Sequence, residues 1–284
     1  MQSTNSSLDT LLRQALTEDI GNGDHSTISC IPPDARGAAE LRIKQEGVLA
    51  GMEVAERVFR LQDPEIVFIP HMKDGDQMAP GQAAFRVEGR VHDILGSERV
   101  VLNCMQRMSG IATLTRTYVD KLTGYHTRIL DTRKTTPNFR LLEKWAVRIG
   151  GGTNHRFGLY DMIMLKDNHI DFAGGIPQAI DRSWNYVRAQ QPGLNIEVET
   201  RNLDEVKLVA TYGSGKVFRV MLDNFTPERL RDALRILDGK FETEASGGIN
   251  LSNILEFAAT GVDFVSVGAL VHQARSLDLS LKAV

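Results

Sequence analysis

Two cysteines, Cys30 and Cys104, in 284 residues are too few for a disulfide framework, and no Cys/His run has zinc-site spacing. A net charge of −3 leaves no basic excess of the kind that nucleic-acid binding requires. No apolar run approaches the length needed to cross a bilayer. Residues 1–7, Met-Gln-Ser-Thr-Asn-Ser-Ser, lack the cationic-then-apolar order of a signal peptide. These absences fit a reducing cytoplasm, in which the Asn5-Ser6-Ser7 sequon is a chance occurrence and Cys104, inside an apolar helical stretch, is a buried thiol. There is no G-x-S-x-G elbow and no dinucleotide fingerprint, so no organic cofactor is expected. What is present is core: 42% hydrophobic content suits one large α/β domain or two moderate ones.

Three textures follow one another. Leu8, Leu11, Leu12, Ala15 and Leu16 recur at helical spacing until Gly21 and Gly23 stop the helix. From Ala38 to Gly89 the pattern is a small α+β module: alternation at Ala39/Leu41/Ile43, a helix over Met52–Leu61, a strand over Ile66–Ile69, and turns at Asp74-Gly75 and Pro80-Gly81. A long helix over 91–122 comes next, with Val100, Val101, Cys104, Met105, Met108 and Ile111 as its apolar stripe and Gly110 as a candidate kink. After Thr123-Gly124, strands and helices alternate. The strands are expected at Arg128–Asp131, Met162–Leu165, Asn195–Glu199, Val217–Asp223, Phe241–Ser246 and Asp263–Gly268. Such alternation implies parallel strands with right-handed crossovers, in a barrel or an open sheet, and a ligand site at the strands' carboxyl ends.

Those ends carry chemistry. The segment His126–His169 holds eight Lys/Arg against four Asp/Glu in an otherwise slightly acidic chain, which points to a small polyanion. Arg133, Lys134, His155, Arg156 and Lys166 cluster in or near two adjacent strand-end loops. Arginine forks grip planar carboxylates and lysine serves as a compact charge, so two anionic groups account for the cluster better than one. Any single member can instead be a solvated surface charge, but so many like charges repel unless an anion compensates them. Glu199 and Asp223 end neighbouring strands, where carboxylates can accept from sugar hydroxyls, hold Mg²⁺ or stabilise an oxocarbenium ion, or simply pair with a nearby cation. Glu197 shares a face with Glu199, and alternation alone does not choose between them. The loop Ser246-Gly247-Gly248 and the strand end at Gly268 offer backbone N–H groups to a phosphate; tight turns are the bland alternative. Gly213-Ser-Gly-Lys216 lacks the phosphate-loop spacing and reads as a surface turn. Lys166 also admits a Schiff-base reading, and a non-catalytic phosphometabolite sensor is a third possibility.

Long motifs in order along the chain resemble one family: Asn103-Cys-Met-Gln-Arg107-Met-Ser-Gly-Ile-Ala-Thr113, Asp131-Thr-Arg-Lys-Thr-Thr-Pro137, Gly151-Gly-Thr-Asn-His-Arg156, Leu165-Lys-Asp-Asn-His169, Met221-Leu-Asp-Asn224 and Ala245-Ser-Gly-Gly248. The chain is similar to the quinolinate phosphoribosyltransferases, the carboxylating nicotinate-nucleotide pyrophosphorylases, over nearly its whole length. The resemblance implies an N-terminal α/β sandwich over residues 1–113, with 272–284 returning to it. It also implies an incomplete, open α/β barrel of the type II phosphoribosyltransferases over 114–271. The implied reaction joins quinolinate and phosphoribosyl pyrophosphate to give nicotinate mononucleotide, pyrophosphate and CO₂ in NAD biosynthesis. Arg133, His155, Arg156 and Lys166 would hold the two quinolinate carboxylates, joined by Arg107 from the partner subunit of a homodimer or dimer-based oligomer. Lys134 would meet pyrophosphate or substrate, Glu199 and Asp223 the ribose hydroxyls and a Mg²⁺ carried with the substrate, and Ser246, Gly247, Gly248, Gly268 and His272 the 5′-phosphate. A related phosphoribosyltransferase acting on another base acid is the nearest alternative.

Overall fold

A computed structural model describes the chain from residue 2 and its side chains from Ser7 onward. The Asn5 side chain of the sequon lies outside the described residues. Two compact units result: one holds the chain up to Arg116 with Thr135–Gly151 and Val271–Val284, the other Thr117–Lys134 with Gly152–Leu270. The strand-helix alternation does not convey that residues 135–151 group with the first unit.

In chain order the elements begin with α1 (Gln2–Ile20), α2 (His25–Cys30), β1 (Arg36–Ile43), β2 (Gly47–Val48), α3 (Met52–Gln62), β3 (Val67–Pro70), β4 (Gln77–Met78), β5 (Ala83–Arg90) and α4 (Val91–Lys121). There follow β6 (Arg128–Leu130), α5 (Arg140–Ile149), β7 (Ile163–Leu165), α6 (Asp167–Ala173), α7 (Ile176–Gln190), β8 (Ile196–Thr200) and α8 (Leu203–Tyr212). The chain ends with β9 (Arg219–Asp223), α9 (Pro227–Leu237), β10 (Glu242–Ser246), α10 (Ile254–Ala258), β11 (Phe264–Ser266), α11 (Ala269–His272) and β12 (Leu279–Ala283).

The first unit is built on an antiparallel sheet of order β12-β1-β5-β3. Alternation along β1 sends Ala39, Leu41 and Ile43 inward. Phe59 of α3 meets Phe85 of β5 edge-on at 5.9 Å, and Phe85 lies 4.6 Å from Phe68 of β3. The α3 helix starts where Gly51 takes φ +104° and where Asp74 Oδ1 accepts from the Gly51 and Met52 N–H groups at 2.8 and 2.9 Å. That carboxylate does from a distance what an N-cap side chain does locally. The α1 stripe of Leu8, Leu12 and Leu16 is buried, and a two-point ion pair joins Arg57 of α3 to Asp9 of α1.

The expected kink at Gly110 is a close approach instead. Helix α4 continues through it, and a Cβ there would sit 2.0 Å from the Arg275 carbonyl oxygen. Glycine is present because the backbone of the chain's last segment passes against the helix.

The second unit holds a six-stranded parallel sheet of order β6-β11-β10-β9-β8-β7. Among the described residues β6 and β7 do not pair with each other, so the barrel is open, as expected. Strands β8 to β11 are buried along almost their whole length, as parallel strands covered on both faces must be. Helix α9 shows why the intervening segments are helical: Thr226 caps it, Pro227 opens it, and Leu230, Ala233 and Leu237 form its buried stripe. Parallel pairing brings every strand's carboxyl end to one edge of the sheet.

Candidate active site

At that edge lies a cavity of about 470 Å³ whose lining comes from every strand of the sheet. Arg133 and Lys134 enter it from the loop after β6, His155 and Arg156 from the loop before β7, and Lys166 from the end of β7. Glu199, Asp223 and Ser246 enter from β8, β9 and β10. The structure thus collects eight of the expected site residues around one space. The 470 Å³ is the size of a site for a small molecule.

Four of these residues are cations. Burial lowers the Arg156 guanidinium below its ordinary value, and the positive charge of Arg133 adds to this, whereas Glu197 and Asp161 oppose it. An arriving carboxylate relieves that repulsion. Glu199 and Asp223 share the same lining. Burial raises the Glu199 carboxyl; Lys166, with Nζ 3.8 Å from Glu199 Oε2, opposes the shift, and the charges of Asp223 and Asp167 reinforce it. Lys166 is 47% exposed and faces a carboxylate, so the burial on which the Schiff-base reading depended is missing. Its backbone N–H donates to His169 Nδ1 at 3.1 Å at the start of α6.

His155 lines the cavity, but its ring is committed to the protein. Nδ1 accepts the Arg156 N–H at 2.7 Å, and Nε2 lies 2.9 Å from Glu197 Oε2 and 3.3 Å from Glu244 Oε2. The expected direct grip on a substrate carboxylate through a ring N–H does not fit this arrangement. Burial alone would lower the ring's pKa; the hydrogen bonds and charges of the two glutamates outweigh burial and push it up to about 9. The Arg156 N–H aimed at Nδ1 works against that cation, because two donors would then face each other at 2.7 Å. The hydrogen-bond geometry is the tighter constraint, and it selects the neutral ring. Glu197, raised to about 7 by burial and by Glu244 against the opposing His155 hydrogen bond and Arg219 charge, is the acid that departs from its ordinary state.

Sequence reasoning preferred Glu199 to Glu197 for its place at the strand end and did not weigh Glu244; Glu197 and Glu244 are both 0% exposed, and Glu244 joins the cavity lining. A signal was available, since carboxylates at inward positions of strands this apolar must be paired. Asp131 was read only as a polar strand end. It is fully buried and accepts from His155 N–H at 2.8 Å and Asn154 Nδ2 at 2.6 Å, which ties the His-Arg loop to β6.

The glycines behave less simply. Gly247 and Gly248 take φ +95° and +66°, and a Cβ on Gly247 would lie 2.1 Å from Asn224 Oδ1, so the loop requires glycine. Successive residues of this kind form a concave row of N–H groups. The loop does not run straight into a helix: residues 249–253, the last three of them a turn, separate it from the short α10. Gly268 follows β11 directly. His272, exposed at the end of α11, belongs to the first unit, and neither of these two lines the cavity.

Arg107 is also engaged elsewhere. Its guanidinium donates to Glu143 Oε1 through Nε at 3.2 Å and Nη2 at 2.9 Å, to the Ala274 carbonyl at 2.7 Å and to the Val271 carbonyl at 2.8 Å. Glu143, 0% exposed, also accepts from the Thr136 N–H and hydroxyl. Reaching into another subunit would break four hydrogen bonds and leave Glu143 buried without its cation.

An open parallel barrel whose strand ends set two arginines and two lysines against paired carboxylates defines an α/β enzyme acting on small polyanions. Its two parts have counterparts: the C-terminal domain of quinolinate phosphoribosyl transferase matches residues 111–282, and the N-terminal domain of the same enzyme matches residues 24–109. The chain belongs to the quinolinate phosphoribosyltransferase family. It is 43% identical over 288 residues to a chloroplastic carboxylating nicotinate-nucleotide pyrophosphorylase of Arabidopsis thaliana, covering 97% of this chain and 82% of that protein. A probable carboxylating nicotinate-nucleotide pyrophosphorylase of Bacillus subtilis (strain 168) is 42% identical over 271 residues, covering 95% and 91%. The crystal structure of NadC from Streptococcus pyogenes superposes with a TM-score of 0.90 at 41% identity, covering 98% of this chain and 97% of that one.

Proposed function

We propose that the chain transfers the phosphoribosyl group of phosphoribosyl pyrophosphate to quinolinate with loss of CO₂, giving nicotinate mononucleotide and pyrophosphate in NAD biosynthesis. The observation that carries this, beside family membership, is the division of the cavity lining between cations and carboxylates. Arg133, Lys134, Arg156 and Lys166 stand ready for anionic groups, and Glu199 and Asp223 for a ribose whose C1 becomes positive.

The chemistry follows from that division. The bond from ribose C1 to pyrophosphate breaks as the pyridine nitrogen closes on C1, and the positive charge that develops there is met by Glu199 and Asp223. Lys134 balances the departing pyrophosphate, and Lys166 joins the arginines at the quinolinate carboxylates. Fixed charges and exclusion of water suffice, and no protein nucleophile is required. The C2–carboxylate bond then breaks, CO₂ leaves, the positively charged ring takes up the electron pair, and a proton from water replaces the carboxylate. Ser246 with the Gly247–Gly248 row suits the 5′-phosphate.

Mg²⁺ carried by the substrate fits this site: Glu199 and Asp223 would hold it, and a divalent cation would relieve the burial and the Asp223 charge that raise the Glu199 carboxyl. Its contribution would be to neutralise the pyrophosphate leaving group. A homodimer is part of the proposal. Within it Arg107 is better suited to clamping its own chain than to serving the partner's cavity, given its bonds to Glu143. A cytoplasmic setting is proposed from the two thiols and the absence, among the described residues, of any helix long and apolar enough to cross a membrane.

The test is product analysis with Mg²⁺ and phosphoribosyl pyrophosphate. Quinolinate should be consumed with stoichiometric CO₂, and nicotinate, lacking one carboxylate, should lose about 1–3 kcal/mol of transition-state binding by leaving buried donors unpaired. Equal kcat/KM for the two acids would sink the assignment.

A further inference from the structure

The steps above give no task to Glu197 and Glu244, although both carboxylates are 0% exposed and lie against His155, with Glu244 itself in the cavity lining. They rise from β8 and β10, and the His155 ring bridges them, with Nε2 at 2.9 Å from one and 3.3 Å from the other. The opposite ring nitrogen faces backbone, since the Arg156 N–H donates to Nδ1 at 2.7 Å. A nitrogen that accepts an N–H carries no proton of its own, so the ring proton resides on Nε2, between the two carboxylates. Arg219 of β9 holds Glu244 in place at 3.3 Å and is itself paired with Glu242 at 2.7 Å, so this acceptor stays fixed without any substrate. The His155 backbone is anchored independently by its own N–H on Asp131.

We propose that Glu197 and Glu244 are positioning residues for the substrate acid: they hold His155 in its Nε2-protonated form, and its bare Nδ1 pins the Arg156 backbone so that the guanidinium enters the cavity at a fixed point. In the other tautomer an Nδ1–H would meet the Arg156 N–H with no acceptor between them, and the His155-Arg156 loop would have to shift. An arginine fork reads a carboxylate bidentately only when its origin is fixed to a fraction of an ångström, which is what a buried brace supplies. The substrate part of this inference rests on the quinolinate reading; the tautomer part does not.

The test uses the full-length protein labelled with ¹⁵N-histidine, with His155 assigned from a His155→Gln variant and fold checked by circular dichroism. Long-range ¹H–¹⁵N spectra of the wild type should show His155 with a single protonated nitrogen, Nε2. Glu197→Gln keeps an acceptor oxygen and should preserve that pattern. Glu197→Met fills the same space without an acceptor and should give mixed tautomers, with the KM for quinolinate raised roughly tenfold and that for phosphoribosyl pyrophosphate within about twofold. A wild-type ring protonated on Nδ1 or on both nitrogens overturns the proposal, and that spectrum decides even where a variant does not fold. A folded Glu197→Met protein with wild-type tautomer and KM overturns it equally. Failure of the quinolinate reading is distinct, because it would leave the expected tautomer in a wild-type protein that does not consume quinolinate.

Discussion

Single side chains divide the substrate between them. Arg133 and Arg156 line the cavity from loops, and Ser246 ends a strand beside the Gly247–Gly248 row. Removing one charged hydrogen-bonding group costs about 1.5–3 kcal/mol, or roughly 10- to 150-fold in affinity. Calorimetric titration of Arg133→Ala and Arg156→Ala should therefore show quinolinate weakened by that factor, and Ser246→Ala should weaken phosphoribosyl pyrophosphate instead. Unchanged quinolinate affinity in both arginine variants would remove them from the site. The thiols offer a separate check on burial. Cys104 is buried and its thiol is pushed up to about 12 by desolvation, whereas Cys30 is exposed. A thiol reagent at pH 8 should modify one cysteine per native chain and two after denaturation; rapid modification of both in the native protein would contradict the burial of α4.

Among the elements, α4 makes the sharpest claim. An exposed helical glycine replaced by alanine gains about 1 kcal/mol from propensity. At Gly110 the added Cβ would instead meet the Arg275 carbonyl oxygen at 2.0 Å, a backbone atom that cannot rotate away. Overpacking of this kind costs about 1–3 kcal/mol or more, so the clash outweighs the propensity gain. Gly110→Ala should lower Tm by several degrees in a thermal melt, and a raised Tm would mean that the 275 segment is loosely held. Strand ends differ from helix faces in what they commit. Every parallel strand from β6 to β11 ends at the cavity edge, so loop residues supply the ligand contacts while the strands beneath fix their origin.

At the scale of the whole molecule, Arg107 decides between two architectures. Its four hydrogen bonds tie α4 to Glu143 of α5 and to the carbonyls of Val271 and Ala274, three stretches far apart in sequence that meet within the first unit. Truncating it leaves a fully buried carboxylate with only Thr136 for company, at a cost of about 3–5 kcal/mol. Arg107→Ala should therefore lose stability in denaturant titration, with a fall in midpoint and little change in m. Random reassembly of Arg107→Ala with Lys166→Ala subunits separates the alternatives further. A shared site would restore about a quarter of wild-type activity through the one intact site of each mixed dimer; a clamp within its own chain restores none.

Local patterns settled much of this protein. The 3.6-residue stripe of α4, the alternation in β1, the capped helix α9 and the six short apolar runs that became β6 to β11 are legible because backbone geometry imposes their periods on any sequence that buries one face. Polar residues at the ends of those runs already marked Arg133, Lys134, Arg156, Lys166, Glu199, Asp223 and Ser246, since a ligand site at the carboxyl ends of parallel strands follows from topology alone. What the sequence could not decide depends on which side chains become neighbours across strands. Glu197 and Glu199 share one face in every reading of β8, yet Glu197 lies buried against His155 while Glu199 lines the cavity, because β10 brings Glu244, held by Arg219 of β9, against the same ring. Gly110 reads as a kink, yet the carbonyl of residue 275 lies against it, and nothing local in the Arg107 motif announces Glu143 beside it. Periodicity records the burial of a face, whereas pairing of charges and close backbone approach are fixed only when distant segments pack, and their energies depend on separations of an ångström or less.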